Sequence, residues 1–508
     1  MKKVMKILPL VLVATTSLVS CSQQVSANIE ISTPNTEETR VITPENLVVT
    51  ETLSTIESKL YFNQQFLPST GNVNILVIPT LIPNYEKIDF DNDGNDDKDK
   101  VKKDIETAFN GTENLVNESV ASFYKKSSFD KLNLTATVTD WFKISDANIG
   151  ITSGASIETS DTPKIVEAAV KWAKESQYID LTKFDNDQDG FIDGVWLIYS
   201  ANNYHNGGPQ TNTDNYFAYT SWGNLDAEPE IENPVYGVYG WASYDFMYRN
   251  ANFDKIDTHT YIHEMGHFLG LNDYYSDNYS YNPIGKVDLM DGNIIDLNNY
   301  SKMLLGWTKP YLVTGNASIS LKSMQNLNNF IVIPGDSYQQ DSNNFDPFSE
   351  YILVELYSPN GLNEFASNNF VGSSPKAPKT NGVRIYHIDN RKFIVNTTDD
   401  YNVFSKEYEG EKLNENVSLI LPISNNRGPD VYSTMLGLPS EYNLFDEIRF
   451  IEVNNKDTFS YGGYQIEKSF FKENDVFSMD KYGENFFVFN KLNNQDTFSY
   501  EIKVGGAK

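Results

Sequence analysis

The side chains best placed to bind a metal and move a proton lie between Tyr261 and Tyr275. The segment is YIHEMGHFLGLNDYY, an H-E-x-x-H pattern followed by x-x-G-x-x-D. On a helix, His263 and His267 lie one turn apart on the same face, so both imidazoles can bind one divalent ion. Glu264 lies about 100° further round the helix, where it can take a proton from metal-bound water without being a ligand. The pattern predicts a zinc-dependent hydrolase with Glu264 as general base.

A third ligand is expected from the residues after the helix. The next histidine in the chain is His387 and the next glutamate is Glu350, so neither residue type is available nearby. Gly270 can take the left-handed conformation that ends a helix, and the chain can then turn back and bring Asp273 toward the metal. Asp273 is the favoured ligand on spacing. The alternatives are Asp277, Asp288 and Asp291.

His259 shares the helix face of His263 and His267 but is not expected to bind the same ion. Eight helical residues rise about 12 Å, whereas zinc to nitrogen bonds are about 2 Å long. The outer two histidines therefore cannot share an ion. His259 is predicted to be a supporting or buried histidine.

Two further features downstream of the motif bear on catalysis. The segment Val287 to Gly292, VDLMDG, is predicted to be a turn that places Met290 beneath the metal, although a methionine in such a segment is also ordinary core packing. An anionic tetrahedral intermediate needs a hydrogen-bond donor. The candidate donors are the phenols of Tyr274, Tyr275 and Tyr281.

The N-terminus has the pattern of a targeting segment. Three lysines precede an apolar run from Ile7 to Val13, which is too short to span a membrane. Leu18-Val19-Ser20-Cys21 then looks like a lipoprotein lipobox, and Cys21 is the sole cysteine of the chain. We therefore expect a signal peptide over residues 1–20, a lipid anchor on Cys21 and a location on the outer face of a bacterial membrane, with possible later release. Residues 21–57 are polar and are predicted to be a flexible tether.

Length and charge limit the remaining possibilities. A chain of 508 residues with 40% hydrophobic content is long enough for two folded units. The net charge of −29 argues against nucleic acid or an anionic lipid surface as a partner, because both are bound through an excess of Lys and Arg. The oligomeric state is left open.

The hydrophobic pattern changes near residue 310. Before it, predicted strands at 73–79, 132–138 and 194–199 alternate with predicted helices beginning near Val116 and at Thr162, which is typical of an α/β (α+β) catalytic domain over residues 58–310. After it, eight apolar runs separated by polar turns predict an all-β, sandwich-like region over residues 311–508. The part of that region up to about residue 405 is expected to pack with the catalytic domain. The eight runs are 317–323, 328–334, 350–358, 382–388, 417–423, 448–453, 484–490 and 498–504.

Several separate stretches resemble the immune-inhibitor-A family of secreted bacterial zinc metalloproteases, which are metzincin-like zincins. They are residues 119–142, 184–199, the zinc helix, SKMLLGW at 301–307 and GVRIYHID at 382–389, and they span roughly residues 60–390. The resemblance implies endopeptidase activity on proteins or peptides, with His263, His267 and Asp273 as zinc ligands and Glu264 as catalytic acid and base. It also implies structural calcium. Departures from the family pattern are Tyr274, where an acidic residue is usual, and Asp288 and Asp291 beside Met290.

Aspartates elsewhere are spaced as calcium ligands. Asp185, Asp187, Asp189 and Asp193, with a glycine at 190, resemble the oxygen spacing of an EF-hand loop. Trp196 stands where such a loop needs a bidentate glutamate, so another donor must complete the site; a solvated acidic turn is the alternative. A weaker run around Gly94 contains Asp89, Asp91, Asp93 and Asp97.

Two other functions fit parts of the same sequence. One is a surface-anchored adhesin or binding lipoprotein in which the zinc site is vestigial. The intact general base, Glu264, argues against this function. The other is a hydrolase of non-peptide amides, which uses the same ligands and base. Only substrate testing separates the latter from a peptidase.

Overall fold

A computed structural model describes residues 40–504 apart from several gaps. The gaps are 57–64, 90–92, 146–148, 151–156, 211–212, 224–227, 249–254, 277–280, 336–337, 339–341, 371–373, 392, 397–402, 405–416, 421–423, 426–445, 454–458, 461–462, 473–474, 476, 478–488 and 493–498. The predicted signal peptide, Cys21 and the first part of the predicted tether lie outside the described residues.

The described residues form helices and strands in a mixed order. The helices are α1 (Leu53–Ile56), α2 (Lys98–Asn110), α3 (Val120–Ser127), α4 (Thr162–Ser176), α5 (His259–Phe268), α6 (Asn299–Leu304) and α7 (Glu364–Asn368). The strands are β1 (Val41–Ile42), β2 (Val48–Val49), β3 (Gly71–Leu81), β4 (Leu132–Val138), β5 (Phe142–Lys143), β6 (Phe191–Ile192), β7 (Val195–Tyr199), β8 (Tyr219–Trp222), β9 (Val235–Tyr236), β10 (Val238–Ser243), β11 (Tyr281–Asn282), β12 (Tyr311–Val313), β13 (Ala317–Lys322), β14 (Phe330–Pro334), β15 (Asn344–Phe345), β16 (Glu350–Tyr357), β17 (Gly382–Asp389), β18 (Phe393–Asn396), β19 (Val403–Phe404), β20 (Val417–Ile420), β21 (Ile448–Ile451), β22 (Phe459–Ser460), β23 (Phe489–Leu492) and β24 (Ser499–Val504).

One sheet carries the first half of the fold, with strand order β4-β3-β7-β10-β8 and β5 beside β3. β3 runs parallel to β4, β5 and β7, and β10 runs parallel to β7 but antiparallel to β8. Alternate side chains of β3 point to opposite faces: Val73, Ile75 and Val77 join one core, and Leu76 and Ile78 join another. Both faces of the sheet are therefore covered, which is an α/β arrangement.

Helix α4 forms where the sequence predicts it. Pro163 lies in its first turn, and its stripe of Ile165, Val166, Ala169, Val170 and Ala173 is buried. Helix α3 begins later than predicted. Ser119 is its N-cap and forms a capping box with Ser122, in which each side chain is hydrogen-bonded to the backbone N–H of the other residue. The backbone N–H of Val116 donates to the carbonyl of Ile256. Val116 therefore lies in the segment before the helix.

A second six-stranded sheet has the order β1-β12-β14-β16-β17-β21. Neighbouring strands are antiparallel except for the parallel pair β12 and β14. One of its faces, with Val332 and Leu353, belongs to the same core as Met265 of α5. The opposite face, with Ile331 and Val354, packs on Ile319 of β13. Helix α5, which carries His263 and His267, and this sheet therefore share one hydrophobic core.

Beyond residue 310, strands are present within each of the eight predicted runs, but the region is not purely β because α7 lies there as well. The described part of the run 484–490 is its last two residues, which begin β23. Among the helices that the structure describes, none has the length and hydropathy of a membrane span.

Residues 40–56 depart from the predicted flexible tether. β1 pairs with β12 and β2 with β15, and the side chains of Leu47, Leu53 and Ile56 are buried in the large core. The prediction was wrong for this part because two-residue strands and a four-residue helix carry no sustained hydrophobic period. Their partner strands also lie roughly 270 to 300 residues away in sequence, so no local pattern reveals the pairing.

Candidate metal centre

Helix α5 is held rigidly behind its two histidines. Phe268 stacks on Trp196 with ring centroids 5.1 Å apart, and Tyr124 donates a hydrogen bond from its phenol to the carbonyl of Ile262 at 2.7 Å. Ile262, Met265 and Phe268 are buried in the core. The apolar face of the helix thus fixes the orientation of the opposite face, which carries His263 and His267.

The end of α5 turns the chain back toward these histidines. Gly270 has φ +92°, and a Cβ at this position would lie 2.8 Å from the ring of Phe66. Both the left-handed backbone and the close approach require glycine. The N–H of Gly270 bonds the carbonyl of His267 at 2.9 Å, and that of Leu271 bonds the carbonyl of Gly266 at 3.0 Å. This C-cap brings Asp273 back beside α5, as the spacing predicts.

His263, His267 and Asp273 converge, with one ligand atom from each lying within 4.8 Å of the others. Asp273 Oδ1 is 3.1 Å from His263 Nε2 and 3.3 Å from His267 Nε2. In a tetrahedral zinc site with bonds of about 2.0 to 2.1 Å, ligand atoms are about 3.3 Å apart. The three side chains fit that geometry. We refer to them as the metal centre.

Hydrogen bonds to the other ring nitrogens set the direction of both imidazoles. His263 Nδ1 lies 2.9 Å from the carbonyl of Leu289, and His267 Nδ1 lies 2.7 Å from the carbonyl of Leu271. A carbonyl can only accept, so each Nδ1 carries a proton, and Nε2 is the ring nitrogen that faces Asp273 and can bind a metal when it is deprotonated. Asp273 Oδ2 accepts a hydrogen bond from the phenol of Tyr275 at 2.9 Å.

Burial and charge have opposite effects on the pKa values of the three groups of the metal centre. Burial opposes ionisation of Asp273, but the adjacent histidines hold the pKa of its carboxyl well below the usual range. Burial also opposes protonation of His267, yet the charge of Asp273 raises the pKa of that ring to about 9. Asp273 raises the pKa of His263 in the same way, against the lowering effect of burial. Metal binding in such a site displaces protons from the imidazoles.

Glu264 lies beside the metal centre without belonging to it. Its side chain is only 6% exposed, and burial raises the pKa of its carboxyl against the lowering effect of His267 and His263. Oε2 accepts a hydrogen bond from Thr220 Oγ1 at 3.1 Å, and the same hydroxyl lies 3.0 Å from the backbone carbonyl of Glu264. Thr220 was missed by the sequence analysis because it is on β8, 44 residues upstream, in a strand with no distinctive pattern.

The other candidate ligands of the sequence analysis have different roles. Asp288 accepts hydrogen bonds from the N–H groups of Met290 and Asn298, both at 2.9 Å, and Asp291 accepts from the N–H of Lys286. Neither carboxylate belongs to the set of converging ligand atoms that His263, His267 and Asp273 form. Asp277 lies outside the described residues. His259, at the start of α5, is likewise not in the group.

Met290 lies directly beneath α5. A Cβ at Gly266 would be 2.5 Å from Met290 Sδ, so the glycine allows the close approach. The turn is also tied to the second sheet, because the buried Arg384 donates from Nη1 to the carbonyl of Val287 at 3.2 Å and from Nε to Glu355 Oε1 at 2.9 Å. Met290 therefore packs against α5 at Gly266, and its place beneath a bound metal stays a prediction.

The tyrosine candidates for stabilising an oxyanion fare differently. Tyr274 is fully buried in the core, with its phenol 2.7 Å from Ser301 Oγ, so its prediction as an oxyanion donor was wrong. Tyr275 is bonded to Asp273 as described. The side chain of Tyr281 lies outside the described residues.

The Asp-rich segment 185–193, here called the acidic loop, also brings carboxylates together. Ligand atoms of Asp185, Asp187 and Asp193 lie within 4.8 Å of one another. Asp189 is not in this group; its Oδ1 accepts from the N–H of Phe191 at 2.9 Å. Burial and the neighbouring charge of Asp187 raise the pKa of Asp193 well above its usual range.

The run around Gly94 gives no comparable group among its described members. Asp91 lies outside the described residues, Asp89 Oδ2 accepts from the N–H of Gly94 at 3.1 Å, and Asp93 Oδ1 accepts from the N–H of Asn95 at 2.8 Å. These bonds are those of an acidic turn.

Residues 99–294 match the family model of the immune inhibitor A peptidase M6 catalytic domain. The matched stretch is narrower than the resemblance over roughly residues 60–390, yet it contains the metal centre, Glu264, the acidic loop and Met290. No match was found among curated proteins.

Proposed function

This chain carries a catalytic domain of the immune inhibitor A peptidase family, and from that premise we propose that it is a zinc-dependent endopeptidase that cleaves extracellular proteins or peptides. The observation that carries the proposal is the convergence of His263, His267 and Asp273 with Glu264 alongside. Two imidazole nitrogens and one carboxylate are the ligand set of a catalytic zinc site, which leaves a position for water or substrate.

Zinc bound there would acidify a water molecule and polarise the carbonyl of the bond to be cleaved. Glu264 takes up the proton and delivers it to the leaving amine. The buried position of Glu264 raises the pKa of its carboxyl, which makes the carboxylate a stronger base. The hydroxyl of Thr220 holds Oε2 in place during these transfers.

Strand β8 offers a place for an extended substrate. Within the described part of the chain it pairs with β10 along one edge only, and Thr220, which contacts Glu264, is on this strand. A peptide that adds to the free edge by main-chain hydrogen bonds would run past the general base.

The remaining parts of the proposal concern calcium, location and the C-terminal region. The carboxylates of the acidic loop support a structural calcium ion, with Asp185, Asp187 and Asp193 as donors. The lipobox-like sequence supports a lipid anchor on Cys21 and an extracellular location. We also propose that residues 311–508 form a β-rich, sandwich-like unit that supports the catalytic domain.

The test uses the purified protein and an unfolded, fluorescently labelled protein substrate. We expect cleavage within the substrate chain, loss of cleavage on chelation and recovery on adding zinc. Cleavage that survives complete removal of metal would overturn the proposal. Hydrolysis of small non-peptide amides without cleavage of any protein would replace it by the amidase alternative.

A further inference from the structure

The loop that carries Asp273, residues 271–275, is fixed on both sides of that ligand by residues far along the chain. We call this segment the Asp273 loop. Asn272 donates from Nδ2 to Glu447 Oε2 at 3.0 Å, and the carbonyl of Tyr274 accepts from Asn425 Nδ2 at 3.0 Å. The residues immediately before and after Asp273 are thus each held by one side chain of the C-terminal region.

Both holding residues are themselves anchored. Glu447 is buried and accepts a second hydrogen bond from the phenol of Tyr300 at 2.7 Å, and its backbone carbonyl accepts from the N–H of Asp389. Asn425 is also buried, and its amide bridges to Ile448 in β21 by bonds of 2.7 and 3.3 Å. Strand β21 pairs with β17 of the second sheet. The anchors therefore belong to the sheet and not to the loop.

The Asp273 loop is held by individual contacts instead of by regular secondary structure. Residues 271–275 are in neither a helix nor a strand, and each unrestrained residue retains backbone freedom that must be lost before Asp273 faces the histidines. Within the catalytic stretch, His267 Nδ1 donates to the carbonyl of Leu271 at 2.7 Å, the N–H of Tyr274 donates to Met290 at 2.8 Å, and the phenol of Tyr275 donates to Asp273. The family match ends at residue 294, before Tyr300, Asn425 and Glu447.

We infer that Glu447 and Asn425 are positioning residues for the zinc ligand Asp273, and that the C-terminal region completes the metal centre by clamping the Asp273 loop. The inference rests on the proposed function. It assigns the second sheet a role in metal retention, which differs from a role in binding substrate or in overall stability alone.

The experiment measures zinc affinity of the full chain by competition with a chromophoric chelator, at a temperature where every variant is folded by circular dichroism. Loss of a group that orients a metal ligand typically lowers metal affinity by about 10- to 100-fold. We expect this loss for Glu447→Ala and Asn425→Ala, and a smaller one for Glu447→Gln, whose amide can still accept one of the two bonds. The matched control is Asn329→Ala, a buried asparagine directly before strand β14, which accepts from the N–H of Lys322 and donates to the carbonyl of Leu327.

A milder variant keeps the test decisive if Glu447→Ala does not fold. Asn272→Ala removes the partner on the loop itself, and a double-mutant cycle with Glu447→Gln measures their coupling in zinc affinity. Zinc affinity equal to that of the native chain in Asn425→Ala and Asn272→Ala overturns the inference, even if both variants unfold at a lower temperature. Failure of the native chain to bind zinc through His263 and His267 would instead overturn the proposed function.

Discussion

The metal centre and the acidic loop each bring three ligand atoms within 4.8 Å of one another, but they are built differently. The metal centre combines two imidazoles with one carboxylate, and hydrogen bonds to Leu289 and Leu271 orient both rings. The acidic loop contains carboxylates alone, with Asp187 exposed and Asp185 accepting from the N–H groups of Asp189 and Gly190.

The difference in ligand type decides how charge acts within each group and which cation the group suits. Opposite charges at the metal centre attract, so the ligands are already close to their binding positions. Like charges in the acidic loop repel. Burial and this repulsion both raise the pKa of Asp193, so a cation is needed to keep its carboxylate ionised. Nitrogen donors with one carboxylate suit zinc, and oxygen donors alone suit calcium. Metal loss should therefore affect catalysis at the first group and stability at the second.

The largest effect is expected from Glu264→Gln. General acid and base catalysis contributes about 10²- to 10⁴-fold, so kcat on a protein substrate should fall by at least about 100-fold while bound zinc stays at the native level. Exposed Glu230→Gln is the control and should leave both values unchanged. An active Glu264→Gln protein would reject the mechanism.

The next effect separates the two groups by zinc affinity. Asp273→Asn replaces a charged ligand by a neutral one and should weaken zinc binding by more than about 100-fold, since even the loss of a supporting residue costs 10- to 100-fold. Asp193→Asn should leave zinc affinity unchanged. Chelator competition measures both zinc affinities, and equal losses in the two variants would show that the two groups do not act independently.

Calcium should stabilise the fold without being needed for zinc binding. A ligand at 100 times its Kd adds about 2.7 kcal/mol to the free energy of unfolding, which thermal unfolding with and without calcium would detect as a higher Tm. Asp193→Asn should lose this increase, and Asp273→Asn should keep it. A Tm that is independent of calcium in the native chain would leave the acidic loop as an ordinary turn.

The smallest effect is expected from Thr220→Val, which removes the hydrogen bond to Glu264 and conserves side-chain shape. One such bond is worth about 1 kcal/mol, or roughly five-fold in kcat/KM, with zinc affinity unchanged. Ser221→Ala on the same strand is the control. A loss as large as that of Glu264→Gln would mean that Thr220 itself touches substrate.

Much of the catalytic fold follows from local patterns. The apolar run 73–79 and the alternation at 132–138 predict β3 and β4, and Pro163 with its apolar stripe predicts α4. Helix α2 was missed because its sequence, KDKVKKDIETAFN, is dominated by charge, although Val101, Ile105, Ala108 and Phe109 form its buried face. The short elements within residues 40–56 were missed because their stability comes from partners distant in sequence.

The sequence by itself determined the chemistry of the metal centre, because the helical period puts His263 and His267 on one face and Gly270 permits the reversal toward Asp273. It could not determine that Asp189 lies outside the set of converging carboxylates in the acidic loop. Nor could it determine the contact of Thr220 with Glu264, or the hydrogen bonds from Asn425 and Glu447 to the Asp273 loop. Those contacts join residues that are neighbours only after the two sheets have packed on a common core. Local periodicity carries no information about such long-range pairs.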